Sequence, residues 1–197
     1  AYLGKALGPG VTITVLEAPS IPKIGVGEAT VPNLHKTFFE FLGIAEEDWM
    51  RECNASYKMG IKFTNWRTPG RGEANPRPYG DGTDHYYHLF GLLPNHENQP
   101  LSHYWAHKKL AGQTDEPFDY ACYREPPILD AKLSPRFMDG TRWTNYAWHF
   151  DTNLISPFLR KWSIENQNAI HIQDLMTEAV IDQRGHVSAL KTEGGLT

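Results

Sequence analysis

The start of the chain shows a helical pattern followed by a strand pattern. Residues 1–7 carry apolar side chains at helical spacing, and Gly8-Pro9-Gly10 ends that pattern in a turn. The β-branched run "VTITVLEA" comes next and predicts a buried strand that ends at Glu17. A helix followed by such a strand is typical of a βαβ nucleotide-binding unit, whose acid binds a ribose hydroxyl. An acid exposed to solvent at a strand end explains Glu17 equally well.

Two helices are predicted between this strand and the next. Thr30 can cap the first helix, which ends at Gly43, and the second helix covers residues 46–53. The apolar face of the first helix repeats at a spacing of four residues, at Leu34, Phe38 and Leu42.

The segment "SYKMGIKFTNW" alternates along its length and predicts one strand. Its two faces carry Tyr57, Met59, Ile61 and Phe63 on one side, and Lys58, Gly60, Lys62 and Thr64 on the other. Since such a strand leaves its polar face in water, the alternation by itself makes Lys58 a solvent-facing lysine.

The rest of the chain divides by composition. Residues 67–84 are rich in glycine and proline and predict a long surface loop. Residues 85–148 are dense in aromatic side chains and histidines with weak periodicity, which favours a substrate region without a sheet. An amphipathic helix containing Pro157 follows, and then three strand patterns: "AIHIQD", "TEAVIDQ" and "HVSALKT".

Composition and charge exclude several partners. Nineteen basic and 23 acidic residues give a net charge of −4 without long blocks of one sign, so we expect no binding to nucleic acid or to an anionic membrane. No apolar run is long enough to span a bilayer. Two cysteines far apart, Cys53 and Cys122, favour free thiols in a reducing compartment, and we therefore expect a cytoplasmic protein.

The residues alone leave the candidate chemistry open. "IPKIGVGEAT" begins like a G-x-G-x-x-G fingerprint, but Thr30 stands at the third glycine, and an ordinary tight turn before a helix explains the segment as well. The histidine pairs lack a companion cysteine or the glutamate of H-E-x-x-H, which favours packed imidazoles over metal ligands. These pairs are His85 with His88 and His103 with His107.

Several longer stretches occur in a fixed order over most of residues 11–160. They are "ITVLEAPSIPKIGVGEATVPNL", "FFEFLGIAEEDWM", "YKMGIKFTNWR", "YYHLFG", "PLSHYW", "FDYACY", "LDAKLSPRFMDGT" and "NYAWHFD". In these stretches the chain resembles the flavin-dependent tryptophan halogenases. The family's opening G-x-G-x-x-G strand, its second catalytic residue (a glutamate) and its W-x-W-x-I-P motif have no counterpart here. We therefore expect a fragment that is inactive by itself.

The resemblance implies an α/β fold. It consists of an incomplete, Rossmann-like FAD-binding domain of the flavin monooxygenase type and a mostly helical or irregular substrate region. Residues 1–66 and 151–197 would belong to the FAD-binding domain, and residues 67–150 to the loop and the aromatic-rich substrate region. Glu28 and Ala29 would lie in a strap between FAD and substrate. The implied FAD-binding positions are Glu17, Ala18, Ile21, Glu28, Ala29 and Leu175.

The resemblance also implies a reaction and replaces the solvent-facing interpretation of Lys58. In the family, FADH2 from a separate flavin reductase reacts with oxygen and with chloride or bromide to give hypohalous acid. Lys58 matches the catalytic lysine that holds this acid beside the indole ring of tryptophan. His88 and Phe90 match aromatic residues that sandwich the substrate. A homodimer is also compatible with the resemblance.

Three alternatives remain beside a tryptophan halogenase. The chain could belong to a halogenase of another indole, a pyrrole or a phenol, to a flavin hydroxylase, or to a non-catalytic FAD-binding protein. Lys58 separates the first group from a hydroxylase, because a hydroxylase delivers oxygen directly from the flavin and needs no such lysine.

Overall fold

The computed structural model describes residues 1–22, 27–66 and 84–195. The α-helices among these residues are α1 (Tyr2–Leu7), α2 (Glu46–Glu52), α3 (Leu101–Leu110), α4 (Phe118–Cys122), α5 (Glu125–Asp130) and α6 (Thr152–Gln167), and a π-helix spans Lys36–Phe41. The strands are β1 (Thr14–Glu17), β2 (Gly27–Ala29), β3 (Ser56–Lys58), β4 (Gly60–Thr64), β5 (His85–Leu89), β6 (Asn95–His96), β7 (Gln99–Pro100), β8 (Ala147–Asp151), β9 (Ile170–Gln173), β10 (Met176–Ile181) and β11 (Val187–Thr192). None of the described helices is both long and apolar enough to cross a bilayer.

The chain forms two compact units. The first comprises Ala1–Glu28, Leu34–Ala55 and Phe150–Thr197, and the second comprises Ala29–Asn33 and Ser56–His149. The division into functional domains at residues 66 and 150 stays a prediction.

The first unit contains a parallel pair of strands, which agrees with the predicted α/β class. β1 pairs with β9 in a register that runs from Thr14 opposite Ile170 to Glu17 opposite Gln173. α6 contacts β9 and α1. β10 and β11 form an antiparallel hairpin, and the backbone turns between them at Gly185, where φ is 85°. The three strand patterns predicted near the end of the chain are therefore confirmed.

The core of the first unit is aromatic. Trp49 of α2 is fully buried, and its ring lies 5.9 Å from that of Phe38 and 5.7 Å from that of Phe150. Burying one large aromatic side chain typically contributes a few kcal/mol. α2 and the predicted amphipathic helix α6 are both present as expected. Asp151 caps the start of α6, because its carboxylate accepts a hydrogen bond from the amide of Asn153 at 2.8 Å.

The predicted helix from Thr30 to Gly43 is wrong at its start, because helical structure begins only at Leu34. Thr30 does not cap a helix; its hydroxyl accepts a hydrogen bond from the amide of Trp148 at 3.0 Å. The amide of Thr30 donates in turn to the carbonyl of Trp148 at 2.9 Å. Helical structure begins at Leu34 and continues through the π-helix, which buries Phe38, and Gly43 follows at a positive φ of 79°.

The second unit divides the single strand predicted for residues 56–66 into two. β3 pairs antiparallel with β8, with Ser56 opposite His149 and Lys58 opposite Ala147. β2 borders β8 on its other side. β4 pairs instead with β5, with Gly60 opposite Leu89. Met59 lies between the two strands and is buried. At this residue the chain changes its pairing partner from β8 to β5.

The aromatic-rich region contains more regular structure than the sequence indicates. β5 lies within the segment predicted to have no sheet, and α3, α4 and α5 follow it. Tyr146 and Trp148 are almost completely buried with ring centroids 5.3 Å apart. The loop predicted for residues 67–84 lies outside the described residues except for Asp84, and so does Gly25 of the glycine-rich segment.

The pairing of β4 with β5 requires a glycine at residue 60. A Cβ atom at this position would lie 2.7 Å from the carbonyl oxygen of His88. In a full-length protein that carries this chain, we expect Gly60→Ala to lower the local opening free energy of β5 by about 1–3 kcal/mol. Hydrogen exchange of the amides of residues 85–89 measures this change.

Gly10→Ala is the matched control, since a Cβ atom at Gly10 has no heavy atom within 4 Å. It should leave exchange in β5 unchanged. Equal exchange in both variants would show that the backbone near His88 shifts to accommodate the added methyl group without destabilising β5.

Candidate functional site

Lys58 occupies a different environment from Lys62, although alternation places them on the same face. Lys58, at the end of β3, is half-buried, whereas Lys62 in β4 is exposed. The Lys58 Nζ atom lies over the Phe90 ring, 5.4 Å from its centroid. Among the described residues, no carboxylate oxygen lies within ion-pair distance of this ammonium. A cation over an aromatic face is attracted by the ring quadrupole and keeps its N–H donors available.

His88 and Phe90 lie beside this lysine. The amide of Phe90 donates a hydrogen bond to the carbonyl of Met59 at 2.9 Å, so Phe90 is joined to the residue that follows Lys58. The rings of His88 and Phe90 meet edge to face with centroids 6.4 Å apart. His88 is exposed and Phe90 is half-buried. The structure thus groups the three residues to which the resemblance assigned catalysis and substrate binding.

The charge of Lys58 affects the pKa of His149. Partial desolvation, and then the positive charge of Lys58, lower the pKa of His149 below its ordinary value. Nothing in the sequence singles out His149, because a lone histidine in "AWHFD" has no distinguishing spacing. Only the pairing of β3 with β8 connects it to Lys58.

Tyr87 of β5, the neighbour of His88, is hydrogen-bonded to a carboxylate. Asp130 accepts hydrogen bonds from the hydroxyls of Tyr87 and Tyr120, each at 2.6 Å. Partial burial opposes ionisation, but these two bonds hold the pKa of Asp130 below its ordinary value. Burial and the bond to Asp130 raise the pKa of Tyr120. His85, one of the histidines considered as a metal ligand, is buried with Nε2 3.3 Å from the Tyr120 hydroxyl.

The proposed FAD positions Glu17, Ala18 and Leu175 lie at the carboxyl ends of neighbouring parallel strands. The amide of Asp174 donates to the carbonyl of Glu17 at 3.0 Å, which continues the pairing of β1 with β9. Ala18 and Leu175 each follow directly on these two residues. In open α/β sheets, ligands bind outside this end of the strands.

The Glu17 carboxylate has an imidazole and a guanidinium as neighbours. Its Oε2 atom lies 2.8 Å from Nε2 of His171 and 3.7 Å from Nη1 of Arg160. A cavity of about 420 Å³ adjoins these side chains. Its apolar lining includes Ile13, Val15, Leu159, Ile164 and Ile170. A carboxylate at a strand end beside a cavity of this size fits the ribose of a dinucleotide. Sequence reasoning missed His171 and Arg160, because both reach Glu17 only through the fold.

The remaining FAD positions lie at the surface. Ile21 is 63% exposed, and Glu28 and Ala29 in β2 are exposed. The structure groups residues within each set: Glu17, Ala18 and Leu175 in the first unit, and Lys58, His88 and Phe90 in the second.

Comparison with known proteins places this arrangement in a family. The family model for tryptophan halogenase matches residues 1–197. The chain is 63% identical over 197 residues to Tryptophan 7-halogenase KtzQ from Kutzneria sp. (strain 744), covering 100% of the chain and 37% of that relative. It is 59% identical over 196 residues to Tryptophan 6-halogenase ThaL from Streptomyces albogriseolus, covering 99% and 37%.

Solved structures agree in fold. The crystal structure of Tryptophan 6-halogenase SttH from Streptomyces toxytricini matches with a TM-score of 0.80 and 34% sequence identity, over 100% of this chain and 36% of that one. A flavin-dependent tryptophan C-6 halogenase, Tar14, matches with a TM-score of 0.79 and 34% identity, over 100% and 37%. The chain thus spans about 37% of the length of the curated relatives that it matches. It belongs to the tryptophan halogenase family.

Proposed function

We propose that the protein halogenates the indole ring of tryptophan with reduced FAD, oxygen and chloride or bromide. Lys58 would hold the hypohalous acid next to the ring that reacts. A separate flavin reductase would supply the FADH2. The similarity to relatives named tryptophan 7-halogenase and tryptophan 6-halogenase supports tryptophan as the substrate.

One observation carries the proposal: Lys58 is half-buried, and its ammonium lies over an aromatic ring. Lys58 Nζ is 5.4 Å from the Phe90 ring centroid. A lysine that only stabilised the sheet would gain more from an exposed position or a carboxylate partner. The position of Lys58 therefore favours an interaction with a ligand.

The proposed role of Lys58 is electrostatic. Reduced FAD, when bound, supplies hypohalous acid by reaction with oxygen and halide. The Lys58 ammonium donates a hydrogen bond to the oxygen of that acid, which makes the halogen more electrophilic. The indole carbon forms its bond to the halogen as the oxygen–halogen bond breaks. The ring proton then leaves, and water is the second product.

His88 and Phe90 would orient the indole. A flat aromatic substrate binds by stacking and edge contacts, so the two rings restrict which carbon meets the halogen. On the cofactor side, Glu17 would accept hydrogen bonds from the adenosine ribose, next to Ala18 and Leu175. Ile21, Glu28 and Ala29 would contact FAD along the same stretch of chain.

Replacing Lys58 tests the proposed role directly. In a full-length protein that carries this chain, Lys58→Ala should lower the formation of halogenated tryptophan by about 10²–10⁴-fold, because the halogen donor is no longer held. Oxidation of FADH2 by oxygen should continue. Chromatography with mass spectrometry measures the product, and oxygen consumption measures the flavin reaction.

Lys62→Ala is the matched control, because Lys62 lies 5.4 Å from the centroid of the Tyr87 ring and is exposed. It should retain halogenation within about twofold, as expected of an exposed side chain. Normal halogenation by Lys58→Ala would rule out the role assigned to Lys58.

The charge of Lys58 also predicts a titration. In Lys58→Gln, the pKa of His149 should rise, because one of the two causes that lower it is removed. It should stay below its ordinary value, since desolvation remains and is the larger cause. The His149 Cε1 proton followed by NMR against pH measures this change. An unchanged pKa would contradict the electrostatic contact, whereas Lys62→Gln should have no effect.

Glu17 should matter for the adenosine half of the cofactor. Glu17→Ala should weaken FAD binding by about tenfold to a hundredfold, the usual loss for a hydrogen bond to a charged group. Binding of FMN, which lacks adenosine, should be unchanged. Quenching of flavin fluorescence measures both affinities.

Glu178→Ala is the control for the loss of an acidic side chain, since Glu178 is exposed and pairs with Lys191 at 2.8 Å. It should bind FAD normally. An equal loss for FAD and FMN in Glu17→Ala would show that Glu17 does not contact the ribose.

A further inference from the structure

Glu125 is a buried carboxylate that the proposed reaction does not use. It begins α5 and is only 5% exposed. The hydroxyl of Thr144 donates to its Oε1 atom at 2.6 Å, and the amide of Arg124 donates to its Oε2 atom at 3.1 Å. Burying a carboxylate costs several kcal/mol unless hydrogen bonds compensate. The two hydrogen bonds compensate part of this cost and hold the carboxylate in one place.

The carboxylate occupies the space that a side chain at residue 91 would need. A Cβ atom built on Gly91 would overlap Oε1 of Glu125 and would lie 2.9 Å from the Thr144 hydroxyl. The backbone at Gly91 thus packs directly on the carboxylate. Since interiors are close-packed, a change at either residue displaces the other.

Gly91 connects this contact to the substrate-binding ring. It directly follows Phe90, whose amide is bound to the carbonyl of Met59 at 2.9 Å. Phe90 is therefore fixed on one side by Met59, the neighbour of Lys58, and on the other by the turn that rests on Glu125. Its ring lies beneath the Lys58 ammonium.

We propose that Glu125 is a positioning residue that sets, through Gly91, where the Phe90 ring stands beneath Lys58. The inference rests on the proposed function, because the position of this ring matters for halogenation only if Phe90 orients the substrate. Small displacements of an orienting group can lower a reaction rate by about a hundredfold. Glu125 then acts on the reaction without touching the reacting atoms.

The first experiment measures the contact without catalysis. Protons of the Lys58 side chain over the Phe90 ring should show an upfield ring-current shift in a full-length protein with labelled lysine. Glu125→Ala should reduce this shift, because the turn at Gly91 loses its support. Glu125→Gln should largely preserve it, since the amide keeps the shape and can still accept from Thr144. An unchanged shift in Glu125→Ala would overturn the proposal.

The second experiment measures coupling, as the ratio of halogenated product to FADH2 oxidised. Glu125→Ala and Gly91→Ala should each lower this ratio about tenfold. The double variant should recover much of the loss, because the methyl group at residue 91 enters the space left by the carboxylate. Losses that simply multiply would overturn the proposal.

A third variant separates positioning from stability. Cys122→Ala removes a buried side chain from α4 in the same unit and should lower thermal stability without changing the coupling ratio. An equal loss of coupling in Cys122→Ala would show that Glu125 acts only through stability. If the unsubstituted full-length protein makes no halogenated product, the proposed function fails. The ring-current shift of the Lys58 side-chain protons still tests whether Glu125 positions the Phe90 ring.

Discussion

The backbone hydrogen bond from the Phe90 amide to the Met59 carbonyl is the constraint on which the second unit depends. On one side of Met59 the chain pairs with β8, and on the other it pairs with β5. Because a shift of one residue would turn every side chain of a strand to the opposite face, this bond determines which faces Lys58 and Phe90 present. The side chain of Met59 is buried and anchors the backbone at this residue. A glycine at residue 60 permits the pairing of β4 with β5, since the backbone of His88 lies too close to leave room for a side chain.

The first unit depends on an equivalent long-range constraint. β1 and β9 are parallel neighbours although most of the chain lies between them, including the whole of the second unit. Their pairing brings Glu17, at the carboxyl end of β1, next to His171 of β9, which is 154 positions away in sequence. Parallel strands need a crossover connection, and here that connection contains Lys58, His88 and Phe90. The pairing of β1 with β9, which closes this connection, is thus what brings the side chains around Glu17 together.

The sequence predicted the elements whose signals are local. The β-branched run before Glu17, the amphipathic pattern of α6 and the hairpin of β10 and β11 are all present. The helix expected at Thr30 failed because Trp148, 118 positions away, engages the Thr30 hydroxyl, and nothing near Thr30 reveals this partner. The break at Met59 was equally invisible, since an apolar residue there continues the alternation. The residues alone made Lys58 a solvent-facing lysine; only the family resemblance singled it out, and the structure adds the half-buried environment.

Three carboxylates of the second unit accept hydrogen bonds from donors other than Lys58. Asp130 is bonded by two tyrosine hydroxyls, Asp119 accepts the amide of Tyr87 at 2.8 Å, and Glu125 accepts from Thr144. Neutral donors satisfy these acids, so the unit does not need the charge of Lys58 to stabilise them. That charge instead faces an aromatic ring and, after desolvation, is the second cause that lowers the pKa of His149. A positive charge that is not neutralised by a nearby carboxylate exerts a stronger field on a bound polar molecule. The arrangement of acids and lysine therefore favours the same proposal as the position of Lys58: an ammonium kept available to polarise a halogen donor.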